Sequence, residues 1–186
     1  MTQHYHIDWL RQKFESGETL KFLYFWGHSN PRQEVAGKFC LSQWYESPFI
    51  VDNICYPTAE HWMMAQKALL FDDAAIFQKI VTAQKPGEVK ELGRQIAGFD
   101  EQSWNKNRYD IVKQGNFHKF SQHPVLAEYL LKTAPRILAE ASPVDKIWGV
   151  GLAEDDKAIQ YIDAWPGLNL LGFALMEVRD MLKAHS

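Results

Sequence analysis

A mainly helical α+β fold with a small β-sheet is what this sequence predicts, and three features predict it. Residues 21–56 are rich in aromatic and β-branched side chains and are broken by turn-forming dipeptides. From Thr58 onward apolar residues recur at helical spacing. No internal repeat, low-complexity tract or Pro/Gly/Ser linker divides the 186 residues, a length that suits one domain with a proper core. We read residues 1–20 as an N-terminal extension and 21–186 as the domain itself.

In chain order, Ile7, Leu10 and Phe14 recur at helical intervals and predict a short amphipathic helix over 7–15. The stretches "LKFLYFWGHSN" and "GKFCLSQWYESPFIVDNICYPT" should hold the strands, with turns at Ser29-Asn30-Pro31 and Asp52-Asn53, the second resembling a hairpin. Thr58 is a natural N-cap, with Pro57 stopping any earlier helix and Glu60 in the first turn. Further helices are expected over 73–83, from Pro86 to about Gly98, over about 101–119, and from Pro124 to about 132. "IWGVGL" reads as a strand or a strand-edge loop. The closing helix shows an apolar stripe of Leu171, Leu175, Val178 and Leu182, with Glu177 and Asp180 facing away.

Composition limits the function classes. Net charge is −3, so no bulk positive field recruits nucleic acid or an anionic membrane. Any phosphate would be held locally by a few Arg or Lys side chains. Cys40 and Cys55 lack companions at metal-ligand spacing and read as reduced, buried thiols of an intracellular protein. The N-terminal "MTQHYHIDWLRQKF" has no unbroken apolar segment, so the expectation is a soluble, cytoplasmic protein with no membrane partner.

The stretch "YPTAEHWMMAQKALLF" carries the most chemistry. Seven residues turn an α-helix through about 700°, so Glu60 and Lys67 share a face, roughly 10 Å apart along the axis. Met64 lies between them and Phe71 extends the stripe. Either both charges reach solvent from the helix edge, or they form a buried working pair, because an acid and an amine in an apolar stripe are unfavourable unless paired or used. Near the positive end of the helix dipole Glu60 suits an anionic role, as a base or a charge stabiliser. A desolvated Lys67 would have a lowered pKa and could attack a sugar carbonyl carbon.

Other candidates have bland readings beside them. Trp104 and Trp148 are either core or stacking platforms for a nucleobase. Arg94 and Arg108, with Lys106 and Lys119 flanking the second, are either solvated faces or phosphate ligands. Asp145 is a turn residue after Ser142-Pro143 or an acid beside a ligand that Gly149 and Gly151 allow near the backbone. His4 and His6 fall in a tail expected to be mobile, and His61 has no second ligand at metal spacing. No dinucleotide, Walker, nucleophile-elbow or Cys–His signature is present.

Taken together, "SQWYESPF…YPTAEHWMMAQKALLF", "LGRQIAGFD…W…R", "GNFHKFSQHPVLAEYLLKT", "LAEASPVDKIWGVGL" and "NLLGFALMEVRD" resemble the NADAR, or YbiA-like, family. The resemblance runs from about Lys21 to Leu182, and five motifs in order are highly specific. It implies a mainly helical α+β fold and N-glycosidase activity. The substrate it implies is either ADP-ribosyl-guanine in nucleic acid or nucleotides, or a ribosylamino-pyrimidine phosphate of riboflavin biosynthesis. By the same resemblance the catalytic residues are Glu60, Lys67, Trp104 and Asp145. The substrate-binding residues are Ser42, Tyr45, Arg94, Arg108, Trp148 and Gly149. No metal or organic cofactor is required by this chemistry. Two departures stand out: Ser42-Gln43-Trp44 replaces the family's usual Ser-Asn-Phe, reshaping one wall of the pocket, and Val150-Gly151 follows the Trp-Gly element where some members place an Asp. Readings from other classes are a non-catalytic ADP-ribose or nucleotide-binding module and a purely structural domain.

Overall fold

A computed structural model of the chain describes residues 4–185, and these form two compact units. One comprises the chain up to Ser42 and from Val125 onward; the other is Gln43–Pro124. The fold is the expected mainly helical α+β. Its strands make two separate two-stranded ladders, one in each unit.

In the first unit, helix α1 (Ile7–Glu15) begins where the His6 ring accepts the Trp9 N–H, and it buries Leu10 completely. His4 and Tyr5, just before it, are docked, contrary to the mobile tail expected. The His4 N–H donates to Glu177 at 2.7 Å and the Tyr5 hydroxyl to Asp180 at 2.5 Å. Burial, and then the Asp180 carboxylate, push the Tyr5 pKa up to about 12. The acids of the closing helix thus anchor the start of the chain. Strand β1 (Phe22–Phe25) pairs in parallel with β4 (Ile137–Glu140), Phe22 opposite Ile137. Helix α6 (Pro124–Lys132) leads into β4, and α7 (Leu170–Ala184) lies against it. That approach needs Gly172, since a Cβ there would sit 2.1 Å from the Leu138 carbonyl. Asn169 caps α7 in the left-handed region (φ 53°). Its side chain continues the β4 ladder, donating to the Leu138 carbonyl at 2.9 Å and accepting the Glu140 N–H at 3.0 Å.

In the second unit, β2 (Phe49–Val51) and β3 (Ile54–Tyr56) form an antiparallel hairpin with Val51 opposite Ile54. Cys55 on β3, expected to be buried, is exposed, because strand alternation turns it to the face opposite the buried Tyr56. Asp52 and Asn53 both have positive φ, 49° and 63°, the signature of the two-residue type I′ turn whose twist matches the strands. Helix α2 (Ala59–Leu70) packs against α3 (Ala74–Thr82), α4 (Pro86–Gly93) and α5 (Glu101–Gln122). Helix α4 stops at Gly93, short of the expected Gly98. There its backbone tightens into i→i+3 bonds from Arg94 and Gln95, and Asp73, the N-cap of α3, captures the Ala97 N–H at 2.9 Å. Helix α5 runs on until His123 and Pro124 stop it. α2 and α5 cross at Gly115, where a Cβ would lie 2.3 Å from Trp62 Cδ1. Beyond that crossing, the Gln122 carboxamide brackets β2, accepting the Ile50 N–H and donating to its carbonyl, both at 2.9 Å.

Candidate active site

Helix α2 starts where the Thr58 hydroxyl accepts the His61 N–H, as the sequence led us to expect. The N–H of Glu60, in the first turn, donates to the Gln43 carbonyl at 3.0 Å, fastening the turn to the segment before the hairpin. Glu60 is only 3 % exposed, so solvation from the helix edge does not describe it.

The neighbouring His61 is fully buried, with Nδ1 2.8 Å from the Thr58 hydroxyl and Nε2 3.2 Å from the Ala83 carbonyl. A carbonyl only accepts, so Nε2 carries the proton and Nδ1 accepts from Thr58; we assign the neutral tautomer on that ground. Burial holds the ring's pKa below its usual value, against the opposing pull of the Ala83 bond and Glu88. His61 is therefore a structural clamp on the first turn.

One turn further on, Met64 is buried against Gly93, where any Cβ would fall 2.1 Å from its sulfur. The backbone of α4 is thereby brought close enough for Lys67 Nζ to donate to the Gly93 carbonyl at 2.8 Å. The ammonium also lies 4.4 Å from the centre of the Phe99 ring and 5.5 Å from that of Trp104. Cation–π contacts of about 0.5–1 kcal/mol and the carbonyl favour the charged amine, but burial wins and lowers the Lys67 pKa. Phe71 completes the stripe, its ring 5.4 Å from Phe99 in a T-shaped contact. Phe99 is 46 % exposed, so this aromatic cage opens to solvent on one side.

Trp104 is set in place by Asp100, the N-cap of α5, which accepts the Ser103 N–H at 2.7 Å. One turn later on the same helix comes Arg108, half-buried. Farther along, α5 buries polar side chains: Lys113, Asn116 and Lys119 are 7 %, 0 % and 0 % exposed. Lys113 pairs with Asp110 at 2.9 Å. Lys119, expected on a solvated flank, instead lies 5.7 Å from the Tyr45 ring and 5.2 Å from Phe120. The Asn116 amide donates to Gln43 Oε1 at 2.8 Å and to the Val112 carbonyl at 2.9 Å. Arg94 takes a different course. It caps α4 beside Gly93, but its guanidinium is largely exposed and paired with Glu91 at 2.6 Å.

The first unit holds the remaining expected residues. Asp145 Oδ1 accepts the N–H groups of Ile147 and Trp148, both at 2.8 Å, so this carboxylate shapes the Trp148-Gly149 turn. "IWGVGL" is a strand-edge loop: Val150 N–H donates to the Glu140 carbonyl of β4 and Gly167 N–H to the Val150 carbonyl, both at 2.9 Å. Gly149 is required there, because a Cβ would meet the Glu140 and Asp145 carbonyls at 2.9 and 3.0 Å. Ser42 is half-buried and caps the 3₁₀ turn Lys38–Leu41.

Geometry thus joins Lys67 with Trp104, and sets Glu60 on the same helix face. It adds Phe99, the Gly93 carbonyl and the Gln43–Asn116 pair, to none of which the sequence reading gave a role in the site. Among the described residues no helix is long and apolar enough to cross a membrane.

Comparison with known proteins bears on this arrangement. The NADAR domain family model matches residues 24–183. An N-glycosidase of Acanthamoeba polyphaga mimivirus is 42 % identical over 168 residues, 88 % of this chain and 97 % of that protein. A riboflavin biosynthesis protein of Vibrio vulnificus is 30 % identical over 78 % of this chain, which spans 36 % of that protein's length. The NMR structure of the Escherichia coli protein YbiA aligns with a TM-score of 0.69 at 27 % identity, covering 89 % of this chain and 86 % of that one.

Proposed function

The chain belongs to the NADAR domain family, and from that premise we propose that it is a hydrolase of N-glycosyl compounds acting on a ribosyl substrate. The names of its relatives support the reaction class, since the mimiviral protein and YbiA of Escherichia coli are both N-glycosidases. The finer identity of the substrate is an ADP-ribosylated guanine or a ribosylamino-pyrimidine phosphate. Riboflavin biosynthesis proteins among the relatives support the second class. In this reading residues 21–186 are the glycosidase domain and residues 1–20 an extension.

One observation carries the mechanism: a carboxylate buried to 3 % exposure and an amine with a burial-lowered pKa project from one helix, the amine inside an aromatic cage. Glu60 stabilises the oxocarbenium-like charge that develops at C1 as the bond to nitrogen breaks. As that bond breaks, neutral Lys67 adds to C1 and the base leaves carrying the displaced proton on its nitrogen. The resulting glycosylamine opens its ribose ring, the amine proton passing to the ring oxygen, to give a Schiff base. Water then hydrolyses the Schiff base, releasing the sugar and restoring the amine. Trp104 stacks on the base or sugar, and Arg108 and Arg94 hold phosphate.

The test is kinetic. Purified Glu60→Gln and Lys67→Ala, each folded, should lose most release of free base from a panel holding both substrate classes. Borohydride should trap a covalent adduct on the native protein, and an adduct that survives Lys67→Ala would remove the Schiff-base step.

A further inference from the structure

Two buried amide groups in the second unit do unfinished hydrogen-bond chemistry. Gln43 is 8 % exposed and Asn116 fully buried. Asn116 Nδ2 spends both hydrogens, one on Gln43 Oε1 at 2.8 Å and one on the Val112 carbonyl of its own helix at 2.9 Å. These bonds fix the amide and turn Oδ1 away from the α5 backbone. Asn116 Oδ1 and Gln43 Nε2 are then left without a hydrogen-bond partner among the described residues. One is a pure acceptor and the other a pure donor, on two amides joined by a hydrogen bond. Buried polar groups are almost always satisfied, and such an exception calls for a partner from outside the chain. A hydroxyl is the group that accepts from one and donates to the other.

Position says which hydroxyl. The backbone carbonyl of Gln43 holds the N–H of Glu60 at 3.0 Å, so Gln43 is fastened to the backbone of the residue assigned above to C1. The sugar hydroxyl nearest C1 is the one on C2. We propose that Gln43 and Asn116 read the 2-hydroxyl of the ribosyl group and make the enzyme select ribosides over 2-deoxyribosides. This deepens the glycosidase reading and rests on it. It also gives Gln43 a role in the reshaped wall where the family's usual residue is the shorter Asn.

The experiment compares a ribosyl substrate with its 2-deoxy counterpart, and ribose 5-phosphate with 2-deoxyribose 5-phosphate in calorimetric binding, on native protein, Gln43→Met and Asn116→Asp. Greater intrinsic lability of deoxyribosides cancels when ratios are compared between proteins. Native protein should prefer the ribo form in binding and in kcat/KM, and Gln43→Met should shrink that preference about 10- to 100-fold, roughly one or two hydrogen bonds' worth, while leaving the deoxy ligand unchanged. A purely structural role would lower the melting temperature and leave the ratio alone. An unchanged ratio in Gln43→Met, or equal binding of the two sugars by native protein, overturns the proposal even if glycosidase turnover is present. Ribose selectivity in binding without turnover of any N-glycoside would instead strike the glycosidase reading.

Discussion

Gly115→Ala tests the packing that brings α2 and α5 together. In isolation the change favours an α-helix by about 1 kcal/mol. Here the new Cβ would stand 2.3 Å from Trp62 Cδ1 and 2.9 Å from Cγ and Nε1. A flexible chain could step aside, but this indole is 5 % exposed and tied through Nε1 to the Ile111 carbonyl at 2.9 Å. Overpacking costs about 1–3 kcal/mol, and displacing the ring leaves a buried N–H unsatisfied at a further 1–3 kcal/mol or so. Against the propensity gain, the net loss is about 3 kcal/mol, a fall in Tm of about 6–12 °C for a chain of this size. Gly87→Ala is the control. Its Cβ would meet nothing nearer than 3.8 Å, so that variant should gain about 0.5–1 kcal/mol. Thermal and urea unfolding by circular dichroism measure both. If Gly115→Ala proved as stable as Gly87→Ala, the glycine would not be what permits this crossing.

Three further outcomes are expected. If neutral Lys67 is the nucleophile, kcat/KM should rise with pH through a pKa below the ordinary lysine value, because burial lowers it. Lys67→Arg, always charged, should be inactive across the whole profile. His61 has a folded pKa below the unfolded 6.5 or so, so the unfolded chain binds the proton first and stability falls as pH drops from that value toward the folded pKa. His61→Gln should flatten this limb when urea midpoints at pH 7.5 and pH 5.5 are compared. Thr58→Ala removes the cap and strands His61 Nδ1, and should cost about 2 kcal/mol in urea unfolding; a change under about 0.5 kcal/mol would mean that the hydroxyl is not holding the turn.

What could be read from the chain was local. Thr58, Pro86, Asp100 and Pro124 start helices through their own side chains, and Asp52-Asn53 sets a hairpin without outside help. Pairing of β1 with β4 was invisible because "ILAE" is four residues long and its partner lies far away in sequence. Helix α5 misled for a different reason. Asn116 and Lys119 are polar residues buried beside Gln43 and Tyr45, contacts no periodicity encodes. Glu60 and Lys67 shared a face by arithmetic alone, yet their roles came into view only through a motif resemblance. The groups that surround Lys67 are a loop phenylalanine and a backbone carbonyl, neither of which leaves a pattern.

An antiparallel ribbon of two strands would ordinarily present exposed rows of donors and acceptors to any passing chain. On the β2 side a single carboxamide, from the last residue of α5, occupies both groups of Ile50. The next residue extends the plug, the His123 ring holding the Pro48 carbonyl at 2.8 Å. Truncating Gln122 would bare the middle of the ribbon, where Ile50 is already 59 % exposed, and should raise self-association measured by light scattering.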